Sequence, residues 1–230
     1  MSHYCAAVFH KEGQSVEELM APYGSGYKVA PYVWLNRKEA VAFARKYCET
    51  EGKTDEECWQ MVSDGLMTDE DGNIYIDRNP YVEWDDWCVG GRWSDILALK
   101  NGERTSSGRV RDIDFDLGYK KLYEESLHFW DVVVEHVPAR PGEEYETLRD
   151  KKYFRDRYGD RESYAEEIAR FYTFAVVTPD GKWHDPYELE QSRDPFTWGE
   201  AERIWAARYK DRFLDTADKD WLLTICDYHF

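Results

Sequence analysis

"HYCAAVF", residues 3–9, alternates in character and is rich in side chains that favour extended backbone, so it predicts a β-strand. Three other stretches are strong strand candidates, and they cover residues 129–137, 172–178 and 221–230. Helical sequence lies between these stretches. We therefore expect an α+β fold, with an antiparallel or mixed sheet of about four main strands and with helices packed mainly on one face.

Two helix starts carry capping signals. Asn36 is followed three residues later by Glu39, and Thr54 stands in the same relation to Glu57. A third helix is predicted over residues 198–214, where aromatic and aliphatic residues recur with helical spacing. These signals predict three helices of ordinary length for a globular protein.

Weaker patterns fill the rest of the chain. They predict an edge strand over 27–34, a short strand over 73–76, a hairpin over 95–104, and charged helical sequence over 143–158 and 162–171. Residues 103–121 are polar and contain arginines, so we expect a mobile loop there. A chain of 230 residues fits one domain or two small ones, and we expect a single compact domain over 1–230.

The composition is strongly acidic, and this disfavours several classes of partner. There are 47 acidic and 30 basic residues, which give a formal net charge of −17. Such a chain repels nucleic acid phosphates and anionic membrane surfaces, so a nucleic acid partner is not expected. The 17 tyrosines, ten tryptophans and ten phenylalanines exceed what packing alone ordinarily requires, so we expect some of them to line a concave or contact surface.

The chain shows no sign of export or membrane insertion. It begins without a basic leader or a long apolar run, and nowhere do eighteen uninterrupted apolar residues occur. Five widely spaced cysteines without a Cys-x-x-Cys pair are typical of reduced thiols. We therefore expect a cytoplasmic location, no membrane partner and, since no cofactor motif is present, no cofactor.

The segment "DDWCVGGRWSDIL" (85–97) is the first candidate site. Adjacent glycines allow backbone amides to face a ligand, an arginine can hold a carboxylate or phosphate, and indoles supply flat surfaces. The candidate ligand-binding residues are Trp84, Asp85, Trp87, Gly90, Gly91, Arg92 and Trp93. The alternative is purely structural: a turn between strands, tryptophans in a core, and an ion pair of Arg92 with Asp85, Asp86 or Asp95.

The second candidate site involves both ends of the chain. On strands, His3 and Cys5 share a face, as do Asp227 and His229. If the first and last strands pair, these four residues could form a metal site or an acid–base pair. The alternative is again structural, with Asp227 orienting His229 or receiving Arg92 without catalysis.

Four separated segments together resemble a family of uncharacterised proteins from bacteriophages and from prophage regions of bacterial genomes. These segments are "HYC" at the start, "NPYVEWDDWCVGGRW" (79–93), "TFAVVTPDGKWH" (173–184) and "LLTICDYHF" (222–230). The family signature reads approximately Asn-Pro, a few residues, Trp-Asp-Trp, then Gly-Gly-Arg-Trp, with Asp-x-His near the end. The resemblance extends over almost the whole chain.

The resemblance can be followed position by position. The matching residues are Asn79, Pro80, Trp84, Asp85, Trp87, Gly90, Gly91, Arg92 and Trp93, then Thr178, Pro179, Asp180, Gly181, Trp183 and His184, and finally Asp227 and His229. One departure is that Asp86 separates Asp85 from Trp87. The resemblance implies a viral or prophage context, in a bacterial host, and it assigns no reaction.

Two hypotheses of function follow. The first is a non-enzymatic accessory protein of a phage or prophage, acting by binding, with an anti-defence role among the possibilities. It would either inhibit a host protein with a basic surface through its own acidic surface or sequester an anionic, nucleotide-like small molecule. The alternative is an enzyme acting on a nucleotide or other phosphorylated substrate, with Asp227 and His229 as acid–base groups and Arg92 holding the anion. A virion component is a third, less favoured hypothesis, because the capped helices indicate a globular protein.

Overall fold

The computed structural model describes residues 2–145, 147, 149–189 and 198–230. Its contacts divide the chain into two compact units, one made of Met1–Met20 with Asp86–Phe230 and the other of Ala21–Asp85. In chain order the elements are β1 (His3–His10), α1 (Val16–Met20), β2 (Tyr32–Leu35), α2 (Arg37–Tyr47), α3 (Asp55–Ser63), β3 (Met67–Thr68), β4 (Ile74–Ile76), β5 (Asp86–Val89), β6 (Leu97–Ala98), β7 (Arg104–Thr105), β8 (Ser107–Arg109), α4 (Phe115–Val133), α5 (Lys151–Tyr158), α6 (Arg161–Ala169), β9 (Ala175–Val177), β10 (Trp183–His184), α7 (Trp198–Tyr209) and β11 (Leu222–His229). The prediction of a single domain over 1–230 stays a prediction.

The larger unit contains the main sheet, and the α+β class is confirmed. The strand order is β10-β9-β1-β11-β5, with β8 also paired to β11, so the sheet has six strands and not about four. β1 pairs antiparallel with β11 and parallel with β9, which makes the sheet mixed. The two longest strands, β1 and β11, therefore lie side by side in the interior of the sheet.

The main core lies against one face of this sheet. Alternation along β1 directs Ala7 and Phe9 to that face, and both are almost fully buried. Trp205 and Tyr209 of α7 pack into the same cluster, and so does Phe213 of the π-helical turn that follows α7. The helical spacing predicted over 198–214 is thus confirmed as a buried helix face.

The strand predicted over residues 129–137 is wrong. Residues 129–133 form the end of α4, and residues 134–137 follow the helix. The helix begins where the side chain of Asp114 accepts a hydrogen bond from the backbone N–H of Leu117 at 2.8 Å. Trp130 and Val134 share one helical face and pack with Phe154 and Tyr164. The apolar run "FWDVVV" thus fits a helix face as well as a strand, and packing against α5 and α6 selects the helix.

The stretch 103–121, predicted as a mobile loop, contains regular structure. It carries β7, β8, a 3-10 turn at Val110–Asp112 and the first residues of α4. The hairpin predicted around Asn101 and Gly102 is confirmed, with Leu97 opposite Thr105 across its two strands. Of the helical sequence predicted over 143–158, α5 covers only the second half, and residues 146 and 148 lie outside the described residues.

The smaller unit contains α2, α3 and a three-stranded sheet of order β2-β4-β3. Both predicted capping boxes are present: the side chains of Asn36 and Thr54 accept from the backbone N–H groups of Glu39 and Glu57. The predicted strands over 27–34 and 73–76 correspond to β2 and β4. In the described part of the chain, no helix has the length and apolar character that crossing a membrane requires.

Candidate functional site

The pairing of β1 with β11 brings the two ends of the described chain together. His3 lies opposite His229, and Cys5 lies opposite Asp227. Residues directly opposite each other in an antiparallel pair share a face, so these four side chains lie on the same face of the sheet. This convergence is the condition on which the second candidate site depended. We call the group formed by His3, Asp86, Arg92, Asp227 and His229 the terminal cluster.

Asp227 is the centre of the terminal cluster. It is only 5% exposed, and its Oδ1 accepts a hydrogen bond from Nδ1 of His3 at 2.8 Å. Its Oδ2 accepts from the backbone N–H of Arg92 at 2.9 Å. Burial would raise the pKa of Asp227, but these two hydrogen bonds and the nearby positive charge outweigh it, so the pKa lies below its ordinary value. Asp227 is therefore a carboxylate at neutral pH.

The two glycines of the central segment serve this carboxylate. Gly90 and Gly91 both have positive φ angles, 74° and 55°. A β-carbon on Gly91 would lie only 2.4 Å from Cβ and Oδ2 of Asp227. The turn therefore needs a residue without a side chain, and the backbone amide that it presents faces a carboxylate of the chain itself. Of the two interpretations of the Gly90–Gly91 pair, the structural one explains this amide, because the amide donates to Asp227.

The side chain of Arg92, unlike its backbone N–H, is not bound to Asp227. The residue is exposed, and its guanidinium makes no hydrogen bond or ion pair with any other described residue. Among the described residues, Arg92 does not form the ion pair with Asp86 or Asp95 that the sequence offered as an alternative. An unpartnered guanidinium close to the buried Asp227 remains available to a carboxylate or phosphate from solution.

Two imidazoles complete the terminal cluster. The ring centroids of His3 and His229 lie 5.3 Å apart. Nε2 of His229 lies 3.7 Å from Oδ2 of Asp86, at the start of β5. Because a carboxylate can only accept hydrogen bonds, Nδ1 of His3 carries the proton toward Asp227, and Nε2 of a neutral His3 is then the acceptor nitrogen. The side chain of His3 is a quarter exposed.

The structure pairs Asp227 with His3, which sequence reasoning missed. The sequence placed both residues on the correct faces but offered His229 as the partner of Asp227. The diagonal contact depends on the register of β1 against β11, and alternation within each strand carries no information about register.

The four residues proposed as metal ligands do not form a metal site. Burial, with a smaller contribution from Asp227, raises the pKa of the Cys5 thiol to about 12, so Cys5 is a neutral thiol at physiological pH. Among the described residues, no three His, Cys, Asp or Glu side chains lie together in a way that could hold a metal ion. The convergence of the two strands therefore favours proton exchange and hydrogen bonding over metal binding.

The aromatic residues of the first candidate site are dispersed. Trp84 and Asp85 belong to the smaller unit, where the Trp84 ring packs against the backbone of Gly24. Trp87 lies opposite Tyr228 in the sheet, on the face away from Asp227. Trp93 packs against the main core. Of the five predicted ligand-binding residues in the larger unit, Gly90, Gly91 and Arg92 adjoin Asp227.

Comparison with protein-family models, with curated proteins and with solved structures gives no match.

Proposed function

We propose that the protein acts by binding, and that the terminal cluster holds the anionic group of a small ligand. The observation that carries this proposal is the exposed guanidinium of Arg92, which has no partner among the described residues and follows a turn fixed by Asp227. A guanidinium offers two parallel donors to a carboxylate or phosphate. His3 and His229 lie beside the same carboxylate as additional hydrogen-bonding groups.

The charges of the terminal cluster determine how an anion would be held. Asp227 and Asp86 carry negative charge beside the positive charge of Arg92. We therefore expect a bound anion to depend on the Arg92 guanidinium for its charge contact.

The experiment is native mass spectrometry of gently purified protein, followed by titration calorimetry with inorganic phosphate and with nucleotides as probes. We expect a retained or added anionic molecule, and we expect Arg92→Ala to weaken its binding by roughly tenfold or more, the effect of one charge-assisted hydrogen bond. Arg208→Ala is the matched control, because Arg208 is also an exposed arginine but lies on α7. Equal affinity of Arg92→Ala and Arg208→Ala would contradict the proposal.

A second candidate function is an enzyme that acts on a nucleotide or other phosphorylated substrate. The specific observation is the 2.8 Å hydrogen bond from His3 to the buried Asp227. In this candidate, Nε2 of His3 accepts a proton, His229 supplies one, and Asp227 positions His3 instead of acting as an acid itself. His3→Gln should abolish turnover and leave binding of the anion nearly intact. A panel of phosphorylated metabolites without any turnover would exclude this candidate.

The biological setting belongs to the same proposal. The sequence resemblance supports an accessory protein of a phage or prophage in the cytoplasm of a bacterial host, where retention of an anionic metabolite would be sequestration. The net charge of −17 supports a second mode of action, in which the protein inhibits a host protein with a basic surface. Purification from a bacterial host at low salt tests it: a specific partner that dissociates as salt rises supports inhibition, whereas a retained small molecule supports sequestration.

A further inference from the structure

A cavity of about 530 Å³ opens at the opposite end of β1 from the terminal cluster. Its floor includes Phe9, next to the last residue of β1, and its rim includes Lys11, just beyond the strand. The β9–β10 turn and the π-helical turn after α7 supply the other walls. His3 and Lys11 are separated by the whole of β1, which spans about 25 Å at the usual rise per residue. The two sites are therefore independent.

Three cations line this cavity, although the protein as a whole is strongly acidic. They are Lys11, Lys182 and Arg212. Both lysines are exposed, and neither amino group makes a hydrogen bond or an ion pair with a described residue. Asp180 is the only carboxylate among the described residues of the lining, and it accepts a hydrogen bond from Thr178 at 2.5 Å. The lining therefore carries a net positive charge.

Arg212 is held in place but keeps free donors. Its Nη2 donates to Oε2 of Glu188, and its guanidinium lies 4.9 Å from the ring centroid of Phe213. No described residue accepts a hydrogen bond from its Nε or Nη1. A guanidinium that is anchored through one nitrogen loses little conformational entropy when its other nitrogens bind an anion.

His184 forms the inner polar wall of the cavity. It is buried, with Nδ1 2.8 Å from Oε1 of Glu188 and Nε2 3.3 Å from Oγ1 of Thr178. Burial lowers the pKa of His184 from its ordinary value, even though Glu188 opposes this effect. The imidazole is therefore neutral at physiological pH, and the net positive charge of the cavity comes chiefly from the two lysines, because Glu188 offsets the charge of Arg212.

The remaining lining is aromatic. Phe9 and Phe213 are almost fully buried, and Trp221 is partly exposed beside them. Aromatic side chains next to a cluster of cations suit a ligand with a flat ring and an anionic group. A dianion satisfies three cations better than a monoanion does, because each added charge on the ligand adds Coulombic attraction in the partly enclosed site.

We propose that this cavity binds a phosphate monoester whose molecule also carries a flat ring, with Lys11, Lys182 and Arg212 on the phosphate and Phe213 and Trp221 against the ring. A nucleoside 5′-monophosphate is the simplest compound of this class. The site goes beyond the proposed function of the terminal cluster, since it uses none of the same residues.

The test is titration calorimetry of the full chain with nucleoside 5′-monophosphates, with inorganic phosphate, and with an uncharged nucleoside as probes. We expect the monophosphate to bind more tightly than either of the other probes. Lys11→Glu combined with Lys182→Glu should weaken its binding roughly a hundredfold, since two charge contacts are lost and reversed. Both lysines are exposed and unpartnered, so the double variant is expected to fold.

Lys120→Glu combined with Lys219→Glu is the matched control, because both are exposed lysines outside the cavity. The control makes the same change in net charge, and it should retain most of the affinity. Three results would overturn the proposal: no binding of the monophosphate by the wild-type protein, equal losses in the two double variants, or phosphate alone binding as tightly as the monophosphate. Arg92→Ala should leave the loss caused by the two cavity lysine substitutions unchanged, which separates the cavity from the terminal cluster.

Discussion

The contact between Gly91 and Asp227 shows what one residue contributes to the candidate site. The absence of a side chain at Gly91 lets the carboxylate approach the turn, and this approach fixes the backbone of Arg92. Two properties of the site therefore depend on Gly91: Asp227 stays charged, and the Arg92 side chain extends from a defined position. A larger residue at position 91 would disturb both.

Gly91→Ala should destabilise the protein by about 2–4 kcal/mol, because it combines an unfavourable positive φ with a steric clash. Gly102→Ala is the control. Gly102 also has a positive φ, but nothing lies within 4 Å of its missing β-carbon, so it should lose only about 1 kcal/mol. Urea unfolding of the two variants measures the difference. Equal losses would mean that Asp227 moves away from the turn at little cost.

Asp227→Asn should weaken the protein in a pH-dependent way. At pH 7 we expect a loss of about 2 kcal/mol, because the amide offers one acceptor oxygen to two donors. A carboxylate with a lowered pKa in the folded state stabilises the protein above its unfolded pKa, near 4, and this contribution disappears as the pH falls through the folded pKa. The difference between wild type and variant should therefore shrink below about pH 4.

Urea unfolding at a series of pH values from 7 down to 3 is the measurement for Asp227. The control is Asp77→Asn, since Asp77 is exposed and makes no hydrogen bond or ion pair with a described residue. At pH 7, Asp77→Asn should change the free energy of unfolding little. A difference between wild type and Asp227→Asn that stays constant with pH would show that hydrogen-bond geometry, and not charge, explains the stabilisation.

At the scale of elements, the helix starts of the smaller unit are fixed by local side chains. Thr54 accepts a hydrogen bond from the N–H of Glu57 at 3.2 Å, and Glu57 accepts one from the N–H of Thr54 at 2.8 Å. Thr54→Ala should lower the free energy of unfolding by about 1 kcal/mol, whereas Thr54→Ser should keep the cap. Thermal unfolding followed by circular dichroism measures both variants. A loss as large in Thr54→Ser would assign the effect to packing of the methyl group.

Local signals in the sequence explain which elements could be predicted. The caps at Asn36 and Thr54 and the turn at Gly102 are local signals, and all three are present. The run 129–137 could not be assigned by local pattern, because its partners Phe154 and Tyr164 are tertiary contacts. The short strands β5 and β8 carry too few residues for a pattern, so the sheet was predicted with too few strands.

The candidate site was predictable in part for a related reason. Alternation along two strong strands placed His3, Asp227 and His229 on one face, which the pairing of β1 with β11 confirms. The hydrogen bond from His3 to Asp227 depends on register and could not be predicted. The role of Gly91 depends on a contact across 136 positions of sequence, from residue 91 to residue 227.

For the whole molecule, the excess of negative charge opposes folding through self-repulsion. The net charge is −17, and most of the ion pairs of the described residues lie at the surface, where each contributes little. We expect sodium chloride up to about 0.3 M to raise the melting temperature, because salt screens the repulsion. Choline chloride should have the same effect if screening is the cause. A falling melting temperature would mean that the surface ion pairs dominate.

The side-by-side position of β1 and β11 has a consequence for biosynthesis. His3 and Asp227 are 224 residues apart in sequence, yet they share a hydrogen bond, and the other neighbour of β1 begins only at Ala175. On the ribosome, both edges of β1 stay without these partners until β9 and then β11 have been translated. The strand is thus translated well before either of its neighbours, and the terminal cluster can form only once β11 has left the ribosome.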